Sequence, residues 1–175
     1  MYLVLNRFIP NEYVKNIFEI HADALQSKGI KGIITDLDNT LVPWNIKEPT
    51  DKIQNWIDEM RKSGIQVTII SNNNHSRVKT FSDPIEVPYV ASARKPLSRA
   101  FKQATRKMNL KKEEVVVIGD QLLTDILGGN RAGYYTILVV PIVQSDATIT
   151  KFNRKIERKI LNKLRRKGKL KWEDK

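Results

Sequence analysis

Apolar residues in this chain gather in short blocks separated by longer amphipathic stretches. Ile30–Thr35, Ile65–Ile70, Glu114–Ile118 and Tyr135–Val140 are dominated by runs of Val and Ile, not by apolar–polar alternation. Such runs predict strands covered on both faces. Pro88-Tyr89-Val90-Ala91 predicts a further, shorter strand. Between the strands the period lengthens. Thr50-Asp51 opens a helix that carries Ile53, Trp56, Ile57 and Met60 on one face and ends at Gly64. Ser76–Phe81, Leu97–Met108 and Leu122–Ala132 predict three more helices, the last closed by Gly133. Pro10 is expected to open an N-terminal helix with Tyr13, Val14, Ile17 and Phe18 as its apolar face, ended by Gly29. Strands alternating with helices predict a doubly wound α/β fold, a parallel sheet with helices on both faces. No internal repeat or low-complexity linker interrupts it.

Composition adds two things. The chain has 175 residues, is 41% hydrophobic and has no cysteine. It can bury a core, and disulfide scaffolding, thiol catalysis and Cys-ligated zinc are excluded. The missing cysteines and the lack of a secretory signal in the short apolar stretch Tyr2–Leu5 point to the cytoplasm. The most apolar window, Tyr134–Val143, is interrupted by Pro141 and falls short of the roughly 18 residues of a membrane span. The net charge is +12, but residues 151–175 hold twelve Lys/Arg against three Asp/Glu. The body is therefore a near-neutral domain, residues 1–147 with a helical segment over 1–29, and residues 148–175 form a basic tail. Phe152, Ile156, Ile160 and Leu164 recur every four residues and give that tail one apolar helical stripe, ended near Gly168.

The candidate chemistry sits where strands end. Asp36 and Asp38 follow the first internal strand, Ser71 the second, Lys95 the weak strand, and Asp120 and Asp125 the Glu114–Ile118 strand. In an open α/β sheet the ligand crevice lies outside the carboxyl ends of the strands, so these residues are expected to converge. A single Asp after a strand is usually a turn or a cap; this many polar signals at one edge is hard to explain as turns. One carboxylate can attack phosphorus while its neighbour protonates the leaving oxygen and later deprotonates water. A phosphate dianion repels such a nucleophile, so a divalent cation and a lysine are needed. Asp36, Asp120 and the backbone carbonyl of Asp38 offer oxygens for Mg2+. Lys95 and Ser71 suit the phosphoryl oxygens.

These residues resemble the motifs of the haloacid dehalogenase (HAD) superfamily. Asp36-Leu37-Asp38-Asn39-Thr40 is similar to its first motif, Ser71 to the second, Lys95 before Pro96 to the third, and Gly119-Asp120-Gln121-Leu122-Leu123-Thr124-Asp125 to the fourth. They occur in the family's order, and the resemblance runs from about Ile30 to Pro141. It implies a Rossmann-like fold and a phosphatase in which Asp36 forms an aspartyl-phosphate and Asp38 is the acid/base. Thr40, Ser71, Asn72 and Lys95 would hold the phosphoryl group, Asp36, Asp38 and Asp120 the metal, and Asp125 would support the ligands from behind. The family's dehalogenases lack the second aspartate, so Asp38 favours phosphoryl chemistry. The strings GIKGIITDLDNTLVPW, ISNNN and GDQLLTDILGGNRAG further resemble subfamily IIIA and its YqeG-type group, which is similar to the mitochondrial phosphatidylglycerophosphate phosphatases.

The intervals Asp38–Ser71 and Ser71–Lys95 are too short to hold a folded cap domain beyond the predicted elements. An open site suits a phosphate borne on something large: a membrane, a protein or a nucleic acid. The resemblance to the phosphatidylglycerophosphate phosphatases implies that lipid at the inner face of a membrane, with residues 151–171 associating with anionic lipid. Two alternatives remain at this level. One is a phosphatase of a protein or nucleic-acid phosphate. The other is a basic RNA- or ribosome-binding protein with weak hydrolysis, disfavoured because no base-reading aromatic motif accompanies the tail.

Overall fold

The computed structural model of the chain describes residues 5–143, 148–166 and 168, with only the backbone of 148–155. Its strands are β1 (Glu12–Val14), β2 (Gly32–Thr35), β3 (Gln66–Ile70), β4 (Tyr89–Val90), β5 (Val115–Gly119) and β6 (Tyr135–Val139). Its helices are α1 (Ala22–Gln26), α2 (Asp51–Lys62), α3 (His75–Ser82), α4 (Ser98–Lys107), α5 (Leu127–Ala132) and α6 (Thr148–Arg166). The six strands form one wholly parallel sheet in the order β1-β6-β5-β2-β3-β4.

Two cores explain the continuous apolar runs. Successive strand residues point to opposite faces. Ile33, Ile69, Val116 and Ile118 pack under Trp56, Ile57 and Phe81 on one face. Ile34, Ile70, Val115 and Val117 pack under Phe101, Ala104, Met108 and Tyr134 on the other. The expected doubly wound architecture is what forms. Local signals hold as well: the Thr50 hydroxyl caps α2 by accepting from Ile53 N–H at 3.4 Å, and Gly133 closes α5 at φ +82°.

Two expected helices differ. The helix expected from Pro10 is strand β1, which pairs Glu12, Tyr13 and Val14 with Ile137, Leu138 and Val139. Asn11 directs the pairing: its N–H reaches the Thr136 carbonyl at 2.9 Å and its side-chain oxygen accepts Thr136 N–H at 2.8 Å. The open edge of β6 offers unpaired backbone groups, and satisfying them overrides a weak local helical period. Burial is less altered than backbone, since Ile17 is still in the core with Val14 and Phe18 against it. The other difference is Leu122–Ala132, whose first part, Leu122–Ile126, winds as a π-helical turn before α5 begins.

The basic tail helix is docked. Leu123 N–H donates to the buried Glu157 carboxylate at 3.1 Å. Leu161 packs against Leu122, Ile126 and Leu138, and Leu164 is fully buried. Ile156 and Ile160 are half-buried, so the contact face is turned toward Leu161 relative to the expected stripe. The Phe152 side chain, Leu170 and Trp172 lie outside the described residues. No described helix is long and apolar enough to cross a membrane.

Candidate active site

The order of the strands places the site. From β2 the chain moves outward to β3 and β4, then returns to β5 on the other side of β2 and continues to β6. The winding reverses between β2 and β5, and a crevice opens there at the carboxyl ends. Asp36 follows β2 and Asp120 follows β5, one on each side of that point. Asp36 N–H donates to the Ile118 carbonyl at 2.9 Å, which holds the Asp36 backbone against β5.

Lys95 is the hub. Its Nζ lies 2.8 Å from Asp36 Oδ1 and 2.7 Å from Asp125 Oδ1, and all three side chains are buried. Burial by itself pulls the ammonium pKa down; the carboxylates of Asp125 and Asp36 outweigh it and push it above the ordinary lysine value. Burial pushes the Asp125 carboxyl up, the Lys95 charge opposes that, and Asp36 adds to the rise. The lysine is delivered by Asn72, whose side-chain oxygen accepts Lys95 N–H at 2.7 Å and whose amide donates to the Lys95 carbonyl at 3.3 Å. Asp125 is held in turn by Gln121 N–H at 3.2 Å. Gly119 makes room for it: a Cβ there would lie 2.3 Å from Asp125 Cγ.

Asp38 stands apart from this buried group. The loop after β2 turns sharply at Asn39, which adopts φ +65°, a left-handed conformation that Asn tolerates better than most residues. Asn39 N–H closes the turn on the Val42 carbonyl at 2.7 Å. Asp38 Oδ1 then accepts from Arg77 at 2.8 Å and 3.2 Å, and Oδ2 accepts from the Asn73 amide at 3.2 Å. Burial raises the Asp38 pKa, the Arg77 charge and the Asn73 hydrogen bond pull it back, and Asp36 adds to the rise. Thr40 Oγ1 donates to Asp120 Oδ1 at 3.2 Å, and the buried Ser71 Oγ accepts Asn73 N–H at 3.1 Å. All eight residues singled out in the sequence are therefore at one edge of the sheet.

Arg77 had not been singled out. It lies in the first turn of α3, three residues after the cap Asn74. A cation there opposes the helix dipole. That unfavourable placement is the one trace of its task in the sequence.

The carboxylates of Asp36, Asp120 and Asp125 place oxygens within 4.8 Å of one another, all in buried positions. Lys95 is the buried ammonium against them. Three buried carboxylates and one ammonium leave an excess of negative charge lined with hard oxygen donors, which fits a small divalent cation. Both Asp125 oxygens are already engaged, by Lys95 and by Gln121 N–H. The interval Asp38–Ser71 is taken up by a loop, α2 and β3, and Ser71–Lys95 by α3 and β4, so neither of these described intervals holds a cap domain. A cavity of about 870 Å³ lined by His75, Tyr89, Gln103 and Lys107 contains none of these residues.

Known proteins resemble the chain over most of its length. A family model described as haloacid dehalogenase-like hydrolase matches residues 33–93, and a HAD-hydrolase-like model matches residues 92–166. The chain is 58% identical over 167 residues to the probable phosphatase YqeG of Bacillus subtilis, covering 95% of this chain and 97% of that one. It is 25% identical over 170 residues to a chloroplastic/mitochondrial phosphatidylglycerophosphate phosphatase of Arabidopsis thaliana, covering 91% of this chain but 49% of the plant protein. Among solved structures, the cobalt-bound deoxy-D-mannose-octulosonate 8-phosphate phosphatase of Haemophilus influenzae shares the fold with a TM-score of 0.54 and 17% identity, over 77% of this chain and 89% of that one.

Proposed function

The chain belongs to the haloacid dehalogenase-like hydrolases and is a phosphatase of that family; from that premise we propose a magnesium-dependent phosphomonoesterase that removes an exposed phosphate from a membrane lipid, phosphatidylglycerophosphate or a close analogue. The observation that carries the reaction is the buried Asp36 carboxylate held by Lys95 at 2.8 Å at the switch point of the sheet. Lys95 orients the carboxylate without consuming both of its oxygens. The carboxylate attacks phosphorus, the bond from phosphorus to the leaving oxygen breaks, and Asp38 protonates that oxygen. Burial, which raises the Asp38 pKa, favours the protonated form this step needs. Asp38, now ionised, takes a proton from water; the resulting hydroxide attacks the aspartyl-phosphate, and phosphate leaves as the Asp36 carboxylate is restored. Thr40, Ser71, Asn72 and Lys95 face the phosphoryl oxygens, Asn72 also fixing the Lys95 backbone. Asp36, Asp120 and the Asp38 backbone carbonyl would hold the cation, with Asp125 supporting the cluster through Lys95. When bound, Mg2+ supplies positive charge against the phosphate dianion and orients it toward the nucleophile.

The lipid part is supported by the open edge and by the likeness to a phosphatidylglycerophosphate phosphatase. The test is phosphate release from phosphatidylglycerophosphate in mixed micelles beside a soluble aryl phosphate. The expected result is faster turnover of the lipid, loss of activity in EDTA with recovery on adding Mg2+, and a fall of at least about 10³-fold in Asp36→Asn. Full activity in Asp36→Asn sinks the reaction. Lipid turned over no better than the aryl phosphate sinks the substrate.

A further inference from the structure

The exposed large apolar side chains of the described residues are Trp44, Ile46, Leu97, Val140 and Ile142. An indifferent surface would scatter them over both ends of the sheet. Instead Trp44 and Ile46 follow β2, Leu97 follows β4, and Val140 and Ile142 follow β6, all in segments leaving carboxyl ends. Two of these segments are tied together, since Ile142 N–H donates to the Asn39 carbonyl at 3.0 Å. Among the described residues the loops at the amino ends carry no exposed large hydrophobic. The apolar residues thus lie in the loops around the mouth of the site that holds Asp36, and an apolar rim of this kind marks a contact surface.

Charge identifies what it contacts. α6 follows the β6 segment and turns Leu161 and Leu164 toward the domain. Arg158, Lys159, Lys163, Arg165 and Arg166 are exposed on it, whereas Glu157 is turned inward onto Leu123 N–H. Arg158 lines a cavity of about 640 Å³ together with Asp120 and Val140, so the cationic face reaches the apolar rim. Lys47 and Arg94 are exposed in the rim segments themselves, against Glu48. Apolar tips flanked by cations match the interface of an anionic bilayer, where the tips enter the headgroup layer and the cations meet the surface potential. A nucleic acid would match the cations but leave Leu97, Val140 and Ile142 in water.

We infer that the carboxyl edge of the sheet docks on an anionic bilayer through Trp44, Ile46, Leu97, Val140 and Ile142, with the exposed face of α6 held by the lipid charge. The inference rests on the proposed lipid substrate and deepens it: docked this way, the mouth of the site faces the headgroups, and a lipid phosphate reaches Asp36 without leaving the bilayer.

The test is co-sedimentation of the full chain with vesicles of phosphatidylcholine alone and of phosphatidylcholine mixed with phosphatidylglycerol, at low and high salt. Binding to the anionic vesicles is expected to be at least about tenfold tighter and to weaken with salt. The combined variant Trp44→Ser, Leu97→Ser, Ile142→Ser should bind them at least about fivefold less tightly while hydrolysing a soluble aryl phosphate at the native rate, which shows that it is folded. No vesicle binding, or native binding by that variant, overturns the docking. RNA binding that the same substitutions weaken equally also overturns it, by making nucleic acid the occupant. The two proposals fail separately. Lipid phosphate turned over in micelles without vesicle binding removes the docking and leaves the substrate. Rim-dependent vesicle binding with lipid phosphate turned over no faster than the aryl phosphate removes the substrate and leaves the docking.

Discussion

Asp38 is pulled in two directions, and the balance is set by Arg77. Burial raises the Asp38 pKa, and the guanidinium at 2.8 Å opposes the rise. The pair also fixes where the carboxyl points, because Arg77 is anchored on the Lys47 carbonyl at 2.9 Å. In the proposed mechanism Asp38 must be protonated when the leaving oxygen departs, so kcat/KM falls as pH rises through its pKa. Arg77→Ala removes the group that holds the pKa down, and the alkaline fall is expected to move to higher pH. Displacing the carboxyl should also lower kcat by about 10–100-fold, the usual effect of misplacing a reacting group by an ångström or so. A pH–rate profile on a soluble aryl phosphate measures both; an unshifted profile with native kcat would leave Arg77 a structural partner only. At this scale the sequence offered Asp, Lys and Ser at strand ends as candidates for phosphoryl chemistry, and the fold places them together at one sheet edge. Arg77 was not, because its partner Asp38 is thirty-nine residues away and comes near only through the fold.

At the scale of elements, α4 and α5 are fitted to each other through Gly128. A Cβ at that position would lie 2.7 Å from Phe101 Cε2 and 3.1 Å from Pro96 Cα. Phe101 is fully buried and cannot swing away, and Pro96 adjoins Lys95. Gly128→Ala is expected to cost about 1–3 kcal/mol, the range of overpacked cores, and to lower turnover by pressing on the segment that delivers Lys95. Thermal unfolding and kcat should fall together; a native Tm with native kcat would show that the helices separate freely. Helices with a strong apolar face and a good cap, such as α2, were legible because their signals are local. β1 was not. Its residues carry a helical spacing, and only the free edge of β6 and the Asn11–Thr136 clamp give them a better use as a strand.

At the scale of the whole molecule, α6 completes a hydrophobic surface that the sheet alone leaves open. Leu161 covers Leu122, Ile126 and Leu138, and Leu164 is fully buried. Leu164→Ala is expected to destabilise the protein by about 2–5 kcal/mol and to lower Tm by several degrees, at roughly 2–4 °C per kcal/mol for a chain of this size. Unfolding by circular dichroism measures it, and a native Tm would show that the helix contributes nothing to the fold. The tail was readable as a basic amphipathic helix but not as docked or free. Docking depends on the apolar patch around Leu122 and on the Leu123 N–H that meets Glu157, both supplied by a distant part of the chain.

By itself the sequence determined what depends on residue type and short-range order: a doubly wound α/β fold and the concentration of charge in the tail. It also offered Asp36, Asp38, Thr40, Ser71, Asn72, Lys95, Asp120 and Asp125 as candidates, which the fold brings to one edge of the sheet. These follow from side-chain chemistry, from continuous apolar runs in the strands and from a period of about three and a half residues in the helices, all of which act within one element. The tertiary structure alone decided which oxygens Lys95 bridges, that Arg77 grips Asp38, that the N-terminal segment is a strand, and that the exposed apolar side chains share the edge that holds the site. Those depend on distances between residues far apart in the chain, and such distances exist only once the sheet has brought its strand ends together.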